Sequence, residues 1–387
     1  MKDFININMN FNLTEEQKLI KKTAREFAVN ELAPDAIYRD ANKIWPTKEV
    51  EKMSGLGFMG IMVSTNWNGG GMDTVSYSLA MEEIARVDAS ASVIMSVNNS
   101  LVCYLLEKYG SDYIKETYLK QLAKGNKLGA FSLSEPQSGS DASNMLAFAK
   151  KEGDYYVLNG TKNWVTNGLH SDYVIVFAVT TKGVGHKGIS CFIVDKKYQG
   201  FEIGKPEDKL GIKSSDTTEL YFSDVKIPVE NLIGNEGEGF KIALSTLDGG
   251  RIGIASQALG IAQASLDHSI SYSKERKQFG RPISSNQAVQ NKLANMAIEI
   301  ESARLLIHKA AWLKDLKKDY GYMASMAKVY ASEVAMRAST ECVQIHGGYG
   351  YIQETGVERL MRDAKITQIY EGTSEIQRVV IARHLLK

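Results

Sequence analysis

The sequence predicts an α+β protein in which a sheet separates two helical regions. Helical periodicity dominates residues 1–122, which we expect to form an N-terminal α-helical domain. Glycines and short β-rich runs mark residues 123–238, the predicted middle antiparallel β domain. Helical periodicity returns in residues 239–387, the predicted C-terminal four-helix bundle. This order argues against a doubly wound nucleotide-binding fold, which needs strand–helix–strand units from its start.

The N-terminal helices are predicted by a start signal and by spacing. Thr14 and Gln17 have the spacing of a capping box, and apolar residues follow at helical intervals. Two further helical stretches run from about Ser76 to Val87 and from about Ser100 to Lys124. We expect the second stretch to be interrupted near Gly110.

The middle region reads as short strands between turns. Tyr155 to Leu158 ends at Asn159-Gly160, a dipeptide that favours a two-residue hairpin turn. Three further runs are rich in β-branched and aromatic residues: Tyr173 to Val179, Ile189 to Val194 and Glu219 to Phe222. We therefore expect a compact antiparallel sheet.

The C-terminal region carries an apolar seam of bundle or coiled-coil type. Its members step by four and three residues: Val289, Leu293, Met296, Ile300, Ala303, Ile307 and Ala310. No proline follows Pro282, so long helices are permitted there.

Composition excludes several classes of function. Lys plus Arg is 46 and Asp plus Glu is 45, so the net charge of +1 predicts neither nucleic-acid nor anionic-membrane binding. Three cysteines without a CxxC pair, and histidines without HExxH, predict no disulfide framework and no metal site. The two glycine-rich runs, 69–71 and 347–350, lack the P-loop lysine pattern.

Nothing in the sequence predicts membrane insertion or secretion. The longest uninterrupted apolar run, Tyr173 to Val179, has about seven residues, far fewer than the roughly 18 that span a bilayer. The N-terminus carries Asp3, Glu15 and Glu16 without an apolar stretch typical of a signal peptide. We expect a cytoplasmic protein.

Four segments are too specific to be scaffold alone. They are Phe131 to Asp141, Gly160 to Gly168, Arg276 to Pro282, and the stretch from Gln344 through Arg362-Asp363-Ala364-Lys365 to Arg378. In these segments and in their order the chain resembles the acyl-CoA dehydrogenase family. The middle helix, from Gly250 to Gly260, is most similar to the short-chain, butyryl-CoA members. The resemblance implies oxidation of an acyl-CoA thioester to the trans-2-enoyl-CoA with FAD as cofactor.

The resemblance assigns the catalytic base to Glu371, in the motif Tyr370-Glu371-Gly372-Thr373. The α-hydrogen beside a thioester is weakly acidic, so a desolvated carboxylate with a raised pKa suits its removal while the β-hydrogen leaves as hydride to flavin N5. Long-chain and isovaleryl members carry the base at the position of Gly250 instead. By itself, Glu371 could equally be a first-turn charge favoured by a helix dipole.

The resemblance also implies the flavin contacts. Phe131, Leu133, Ser134 and Ser140 match residues along the isoalloxazine and pyrophosphate, and Trp164 and Thr166 match the pair against the flavin ring. Trp164 could alternatively be a plain core aromatic. The ADP half and remaining cofactor contacts match Arg276, Gln278, Phe279, Gln287, Gln344, Gly347, Gly348, Thr373, Ser374 and Glu375. Arg276 could instead be a solvated helix-end cation.

The substrate is expected along the middle helix. Ser140, Asp248, Gly249, Gly250, Arg251 and Gly372 match the thioester and pantetheine region, and Gln257 and Thr367 match the pocket floor of short-chain members. In the family some cofactor contacts come from a neighbouring subunit. The resemblance therefore implies a homotetramer built as a dimer of dimers, with electron-transferring flavoprotein as partner.

Two other readings stay open on the sequence. A flavin-dependent enoyl-CoA (crotonyl-CoA) reductase would run the same half-reaction backwards with the same residues. A non-catalytic helical interaction protein would explain the apolar seam but not the retained glutamate and flavin motifs.

Overall fold

The computed structural model describes residues 12–386, and its first third is helical. The capping box is confirmed, since Thr14 Oγ1 accepts from Gln17 N at 3.1 Å and Gln17 Oε1 accepts from Thr14 N at 3.0 Å. The helices are α1 Glu15–Phe27, α2 Ala36–Asn42, α3 Thr47–Gly55, α4 Thr74–Ala85, α5 Ala89–Ser96, α6 Tyr104–Tyr109, α7 Asp112–Ile114 and α8 Lys120–Ala123. Asp3, one of the three acidic residues that argue against a signal peptide, lies outside the described residues.

Helical structure from α5 to α6 is continuous through a π-helical segment, Val97–Cys103, and ends before Gly110 as predicted. This stretch, Ala89–Tyr109, is the one helix among the described residues long and apolar enough to cross a membrane. Its serines and asparagines interrupt the apolar run, which is why counting uninterrupted runs did not reveal it. Because 94% of the apolar window is buried within the protein, the stretch is weak evidence for a membrane span.

The middle region is an eight-stranded sheet in the described residues, with a central order β6-β7-β3-β2-β4-β5-β8 and β1 added beside β4. The strands are β1 Gly129–Ser132, β2 Phe148–Glu152, β3 Tyr155–Thr166, β4 Tyr173–Val179, β5 Ile189–Asp195, β6 Phe201–Ile203, β7 Thr217–Pro228 and β8 Leu232–Ile233. The expectation of an antiparallel sheet is confirmed for most strand pairs but not for β4, which pairs in parallel with β1 and with β2. The remaining pairs are antiparallel.

The predicted turn at Asn159-Gly160 is wrong. Both residues lie inside β3, at a register shift against β7. The Asn159 side chain exchanges two hydrogen bonds of 2.9 Å with Asp224 on β7, and Gly160 has φ +140°. A Cβ on Gly160 would lie 2.6 Å from that of Ala147, so the glycine serves a bulge with close packing. The hairpin turn lies before it, between β2 and β3.

The C-terminal region contains long helices. They are α9 Gly239–Glu275, α10 Gln287–Asp315, α11 Gly321–His346, α12 Val357–Ile366 and α13 Ser374–Leu385, with a small hairpin of β9 Lys277–Gln278 and β10 Arg281–Pro282. The apolar seam on α10 is confirmed from Met296 to Ala310, where every member is buried. Its first two members, Val289 and Leu293, are only half-buried.

Helix α9 positions the site, because it runs through the interior between the N-terminal helices and α11. Residues 249–262 are buried without interruption, as in a core helix enclosed on all sides. A Cβ on Gly253 would lie 2.5 Å from Tyr77 Oη, and one on Gly260 would lie 2.8 Å from Ala85 Cβ. The glycines therefore let α4 approach α9 closely, and this packing helps to position the nearby Gly250.

Candidate active site

Glu371 lies in the short connection between α12 and α13, in an unusual backbone conformation. Its φ is +53° and that of Gly372 is +93°, so two consecutive residues are left-handed. For a non-glycine residue this conformation costs about 1–2 kcal/mol. The strain places the carboxylate against α9. A Cβ on Gly250 would clash with Glu371 Oε2 and lie 2.9 Å from Glu371 Cδ.

The surroundings of Glu371 raise the proton affinity of its carboxylate. Its Oε2 is buried and has no hydrogen-bond partner. Burial raises the pKa of Glu371 to about 7, against the opposing positive charges of Lys328 and Arg251. A carboxylate whose pKa is raised towards neutrality is a better general base than an exposed one.

Arg251, one of these two cations, lies one residue after Gly250. Its side chain is buried, donates to Asp248 Oδ1 at 2.5 Å and reaches Ser325 Oγ at 3.2 Å. Burial lowers the pKa of Arg251, and the neighbouring Asp248 and Glu371 charges oppose this effect. The structure thus brings Asp248, Gly250 and Arg251 to one side of the carboxylate.

The interior beside Glu371 contains polar side chains that hydrogen-bond to other groups of the protein. Tyr370 donates its hydroxyl hydrogen to Gln257 Oε1, and Gln257 Nε2 donates to Ala89 O at 2.8 Å. Gln257 and Thr367 are fully buried, and Thr367 Oγ1 donates to Ala364 O at 2.7 Å. These bonds fix both side chains. We refer to Gly250, Arg251, Gln257, Lys328, Tyr370 and Glu371 as the base pocket.

The segment after β1 is anchored by a buried ion pair. Lys162 Nζ bonds Glu135 Oε1 at 2.8 Å and Leu133 O at 3.1 Å, with the lysine fully buried and the glutamate 3% exposed. Glu135 also accepts from the backbone amides of Leu146 and Ala147 at 2.6 and 3.0 Å. We call residues 131–140 the anchored segment; within it Phe131 in β1, Leu133 and Ser134 are half-buried, and Ser140 is exposed.

Trp164 does not pack in the core. It is 63% exposed and has φ +61°, at the second register shift between β3 and β7. A buried-aromatic role is therefore wrong, and the indole is free to contact another molecule. Thr166 pairs with Thr217 at the end of β3 and is half-buried.

A second group of expected cofactor residues surrounds a separate open cleft of about 520 Å³. We call it the hairpin cleft; its lining is Tyr272, Arg276, Gln278, Ile283, Ile345, His346, Gly347, Gly348, Tyr349 and Ile352. The Arg276 guanidinium lies 5.7 Å from the centroid of the Tyr349 ring. Phe279, at the tip of the β9–β10 hairpin, is 97% exposed. Gln287 and Gln344 are exposed and are not part of the lining.

The start of α13 holds the last expected cofactor contacts. Thr373 is the N-cap and accepts from Ile376 N at 3.3 Å. Ser374 Oγ is buried without a hydrogen-bond partner, and Glu375 is exposed. A helix N-terminus with a free hydroxyl is suited to an anionic or polar ligand group.

Three domain models match the chain in sequence order. The N-terminal domain of acyl-CoA dehydrogenase matches residues 14–126, the middle domain residues 130–225 and the C-terminal domain residues 237–386. This chain belongs to the acyl-CoA dehydrogenase family.

Individual members of the acyl-CoA dehydrogenase family are similar over nearly their whole length. The short-chain specific acyl-CoA dehydrogenase of Clostridium acetobutylicum is 49% identical, covering 98% of this chain and all of its own. The structure of butyryl-CoA dehydrogenase from Megasphaera elsdenii has a TM-score of 0.97 at 48% identity, with 98% and 100% coverage. A chain in the structure of the electron transferring flavoprotein of Acidaminococcus fermentans has the same TM-score at 50% identity, with 98% and 100% coverage.

Acyl-CoA dehydrogenases are flavin dependent, and several features of this chain fit such a cofactor. The exposed Trp164 indole offers an aromatic face, and the Ser374 hydroxyl lacks a hydrogen-bond partner among residues 12–386. No atom lies within 4 Å of a Cβ added to Gly347 or Gly348, so internal packing does not require glycine there. Glycines bordering an open cleft are suited to close approach of a ligand to the backbone.

Three residues that shape this acyl-CoA dehydrogenase site were missed in the sequence. Glu135 and Lys162 lie inside two of the quoted motifs, but nothing in their spacing indicates that they pair. Lys328 carried a usable signal: it lies between Ala324 and Ala331, which belong to the buried face of α11. A lone lysine on an alanine-rich helical face indicates a buried cation with a specific partner.

Proposed function

We propose that this chain is a FAD-dependent short-chain acyl-CoA dehydrogenase that oxidises butyryl-CoA-like thioesters to trans-2-enoyl-CoA. The observation that carries the proposal is the Glu371 carboxylate. It is desolvated, its Oε2 has no hydrogen-bond partner, and it lies against a glycine in the helix expected to contact the thioester. A carboxylate with one buried, unpartnered oxygen and a pKa raised to about 7 has little structural use, whereas proton abstraction requires such a group.

In this mechanism Glu371 accepts the proton from the α-carbon of the substrate. The missing side chain of Gly250 leaves room for the carboxylate to lie against α9, and Lys328 and Arg251 balance its negative charge before transfer. Tyr77 and Leu101 help to exclude water, which keeps the base desolvated. When bound, the flavin supplies the two-electron acceptor that takes the β-hydrogen as hydride.

We assign the flavin ring to the anchored segment and Trp164, through Phe131, Leu133, Ser134, Ser140 and Thr166. We assign the ADP half to the hairpin cleft, with Arg276 as the pyrophosphate donor because its planar fork can donate two hydrogen bonds. Gln278, Phe279, Gln287, Gln344, Gly347, Gly348, Thr373, Ser374 and Glu375 complete this set. Asp248, Gly249, Gly250, Arg251, Ser140 and Gly372 would contact the thioester and pantetheine.

The acyl chain would end at Gln257 and Thr367. Both are buried and held by hydrogen bonds, so neither can swing away to admit a longer chain. Their polar groups are unfavourable neighbours for further methylenes. We therefore propose four-carbon substrates as the preferred class.

The open hairpin cleft supports assembly into an oligomer. A phenylalanine that is 97% exposed beside a cofactor cleft supports an additional surface covering it, which in a homotetramer would come from a neighbouring subunit. We propose a dimer of dimers in the cytoplasm, with electron-transferring flavoprotein as the electron acceptor. The enoyl-CoA reductase uses the same residues in reverse, so electron supply decides the direction.

The test is an anaerobic titration of the purified yellow protein with acyl-CoAs of increasing length, observed by flavin absorption. The proposal predicts bleaching with butyryl-CoA, weaker bleaching with hexanoyl-CoA and little with octanoyl-CoA. A colourless protein, or a flavin that no acyl-CoA reduces, would refute the dehydrogenase function. Adding crotonyl-CoA to the chemically reduced enzyme measures the reverse direction.

A further inference from the structure

Lys328 is a buried cation that the proposed reaction does not yet use. Its side chain on α11 is fully buried, and its Nζ donates to the Gly372 carbonyl at 2.7 Å. The Gln377 amide reaches the same oxygen at 2.9 Å and the Glu371 carbonyl at 3.2 Å. The backbone that carries the base is therefore held from α11 and from α13 at once.

The position of these bonds matters because the backbone there is strained. Glu371 and Gly372 have φ values of +53° and +93°, and such conformations persist only where the surroundings enforce them. Fixing the Gly372 carbonyl fixes the peptide plane between Gly372 and Thr373, and the Gln377 bond to the Glu371 carbonyl fixes the plane between Glu371 and Gly372. Since the Glu371 carboxylate is itself free of bonds at Oε2, its position depends on this backbone support.

Burying the positive charge of Lys328 is unfavourable unless another charged group compensates for it. The other fully buried lysine of the site, Lys162, is paired with a carboxylate at 2.8 Å, whereas Lys328 bonds a neutral carbonyl. Burying an ammonium without a paired carboxylate is unfavourable by several kcal/mol, and a neutral amide could hold a carbonyl without that penalty. A lysine at this position in place of a neutral amide points to an electrostatic use.

The charged and titratable groups around Glu371 define what that use is. Lys328 faces it from α11 and Arg251 from α9, while the buried Tyr77 on α4 and the half-buried Tyr370 are phenols whose pKa values are raised by desolvation. Burial lowers the pKa of Lys328 to about 7, with Glu371 and Glu375 opposing and Arg251 reinforcing this effect. Arg251 already pairs with Asp248, which leaves Lys328 as the cation without its own carboxylate.

We propose that Lys328 is a positioning residue for Glu371, fixing the strained backbone through the Gly372 carbonyl and keeping the carboxylate ionised through its charge. This inference rests on the proposed function, in which Glu371 is the base. It assigns two separable effects to two neighbours: Lys328 supplies both charge and anchorage, and Gln377 supplies anchorage only.

The experiment measures the pH dependence of flavin reduction by saturating butyryl-CoA in anaerobic stopped flow. In Lys328→Met the apparent pKa of the rate should rise by about 1 to 2, because an opposite charge nearby lowers a carboxyl pKa by about that amount. The rate near pH 6.5 should fall about tenfold or more and recover partly at alkaline pH. Lys328→Arg keeps the charge and should retain the wild-type pKa.

Gln377→Leu is the matched control, since it removes a donor to the same carbonyl without removing charge. It should lower the rate at every pH with the apparent pKa unchanged. A Lys328→Met enzyme with the wild-type pKa would overturn the proposal and leave Lys328 a structural anchor. Failure of the wild-type enzyme to bleach would instead refute the proposed function.

A second measurement covers the case in which Lys328→Met does not fold. Lys328→Gln retains a donor for the carbonyl, and a difference infrared titration of the Glu371 carboxyl band needs no turnover. Glu371→Gln identifies the band by removing it. The proposal predicts that the carboxyl of Lys328→Gln protonates at a higher pH than in wild type, and equal midpoints would contradict it.

Discussion

The base pocket and the hairpin cleft differ in how far the chain encloses its own side chains. In the base pocket Gln257, Tyr370 and Arg251 are hydrogen-bonded within the protomer, and the Glu371 carboxylate is packed against α9. At the hairpin cleft Arg276 is exposed, and Phe279 is 97% exposed. The first region is built to hold a reactive group in place, and the second presents surfaces for other molecules.

The comparison teaches that chemistry and cofactor retention should be separable in this enzyme. Substitutions in the base pocket should change the chemical step or the stability of the protomer. Substitutions at the hairpin cleft should change cofactor affinity and assembly while the chemical step of the loaded enzyme survives.

Among the variants that probe how the protomer is held together, the largest effect is expected from Lys162→Met, which tests whether the anchored segment is held from within the chain. Breaking a buried ion pair leaves Glu135 unpaired in the interior and typically costs about 3–5 kcal/mol. Chemical denaturation should show that loss in the free energy of unfolding, together with weaker FAD retention. Lys150→Met removes an exposed pair with Glu152 and should cost less than about 1 kcal/mol. Equal costs for the two variants would contradict the assigned role of the buried pair.

The next effect is that of Gly250→Ala, which would test the fit between α9 and the base. The added methyl clashes with Glu371 Oε2 and lies 2.8 Å from Leu101 Cδ2, so the carboxylate must move. A misplacement of about 1 Å costs about 10²-fold in rate. We expect flavin reduction to slow by that factor with FAD retention unchanged. Gly55→Ala, where no atom lies within 4 Å of the new Cβ, controls for the substitution itself.

Arg276→Gln tests the role of the hairpin cleft. Loss of a charged donor to a pyrophosphate should weaken FAD binding about tenfold or more, with flavin reduction of the fully loaded enzyme near normal. Equilibrium dialysis gives the affinity, and sedimentation shows whether FAD loss and dissociation of the proposed tetramer occur together. Lys274→Gln, also exposed near the end of α9, is the control. A monomer that retains FAD firmly would contradict the role given to the cleft.

The smallest effect concerns the pocket floor. Gln257→Gly would remove the side chain that contacts Ala89 and Tyr370 and should move the preferred acyl chain to more carbons. Each added methylene that becomes buried contributes about 0.8 kcal/mol, or about fourfold in kcat/KM. Gln263→Gly, also on α9, controls for the cost of a helical glycine. An unchanged preference would refute the floor assignment.

Sequence reasoning succeeded where a local pattern has a local cause. The capping box at Thr14, the seam from Met296 to Ala310 and the interruption at Gly110 all follow from spacing along one helix. It failed at Asn159-Gly160, because the asparagine bonds Asp224, 65 residues away, and the dipeptide forms a bulge instead of a turn. The parallel pairing of β1 with β4 is non-local in the same way.

The candidate site shows the same division. The resemblance named Glu371, but it could not show that the residue is left-handed and free of bonds at Oε2. The Glu135–Lys162 and Lys328–Gly372 contacts join residues 27 and 44 positions apart. Such contacts depend on how whole elements pack, and no single-sequence pattern records them.

The most direct test of the central claim is anaerobic flavin reduction by butyryl-CoA in Glu371→Gln. The amide keeps the size of the side chain but cannot accept the α-proton, and a general base contributes about 10²–10⁴-fold. We predict a folded, yellow protein that binds butyryl-CoA but reduces its flavin slower by about 10⁴-fold. Flavin reduction at a rate near that of wild type would show that Glu371 is not the base.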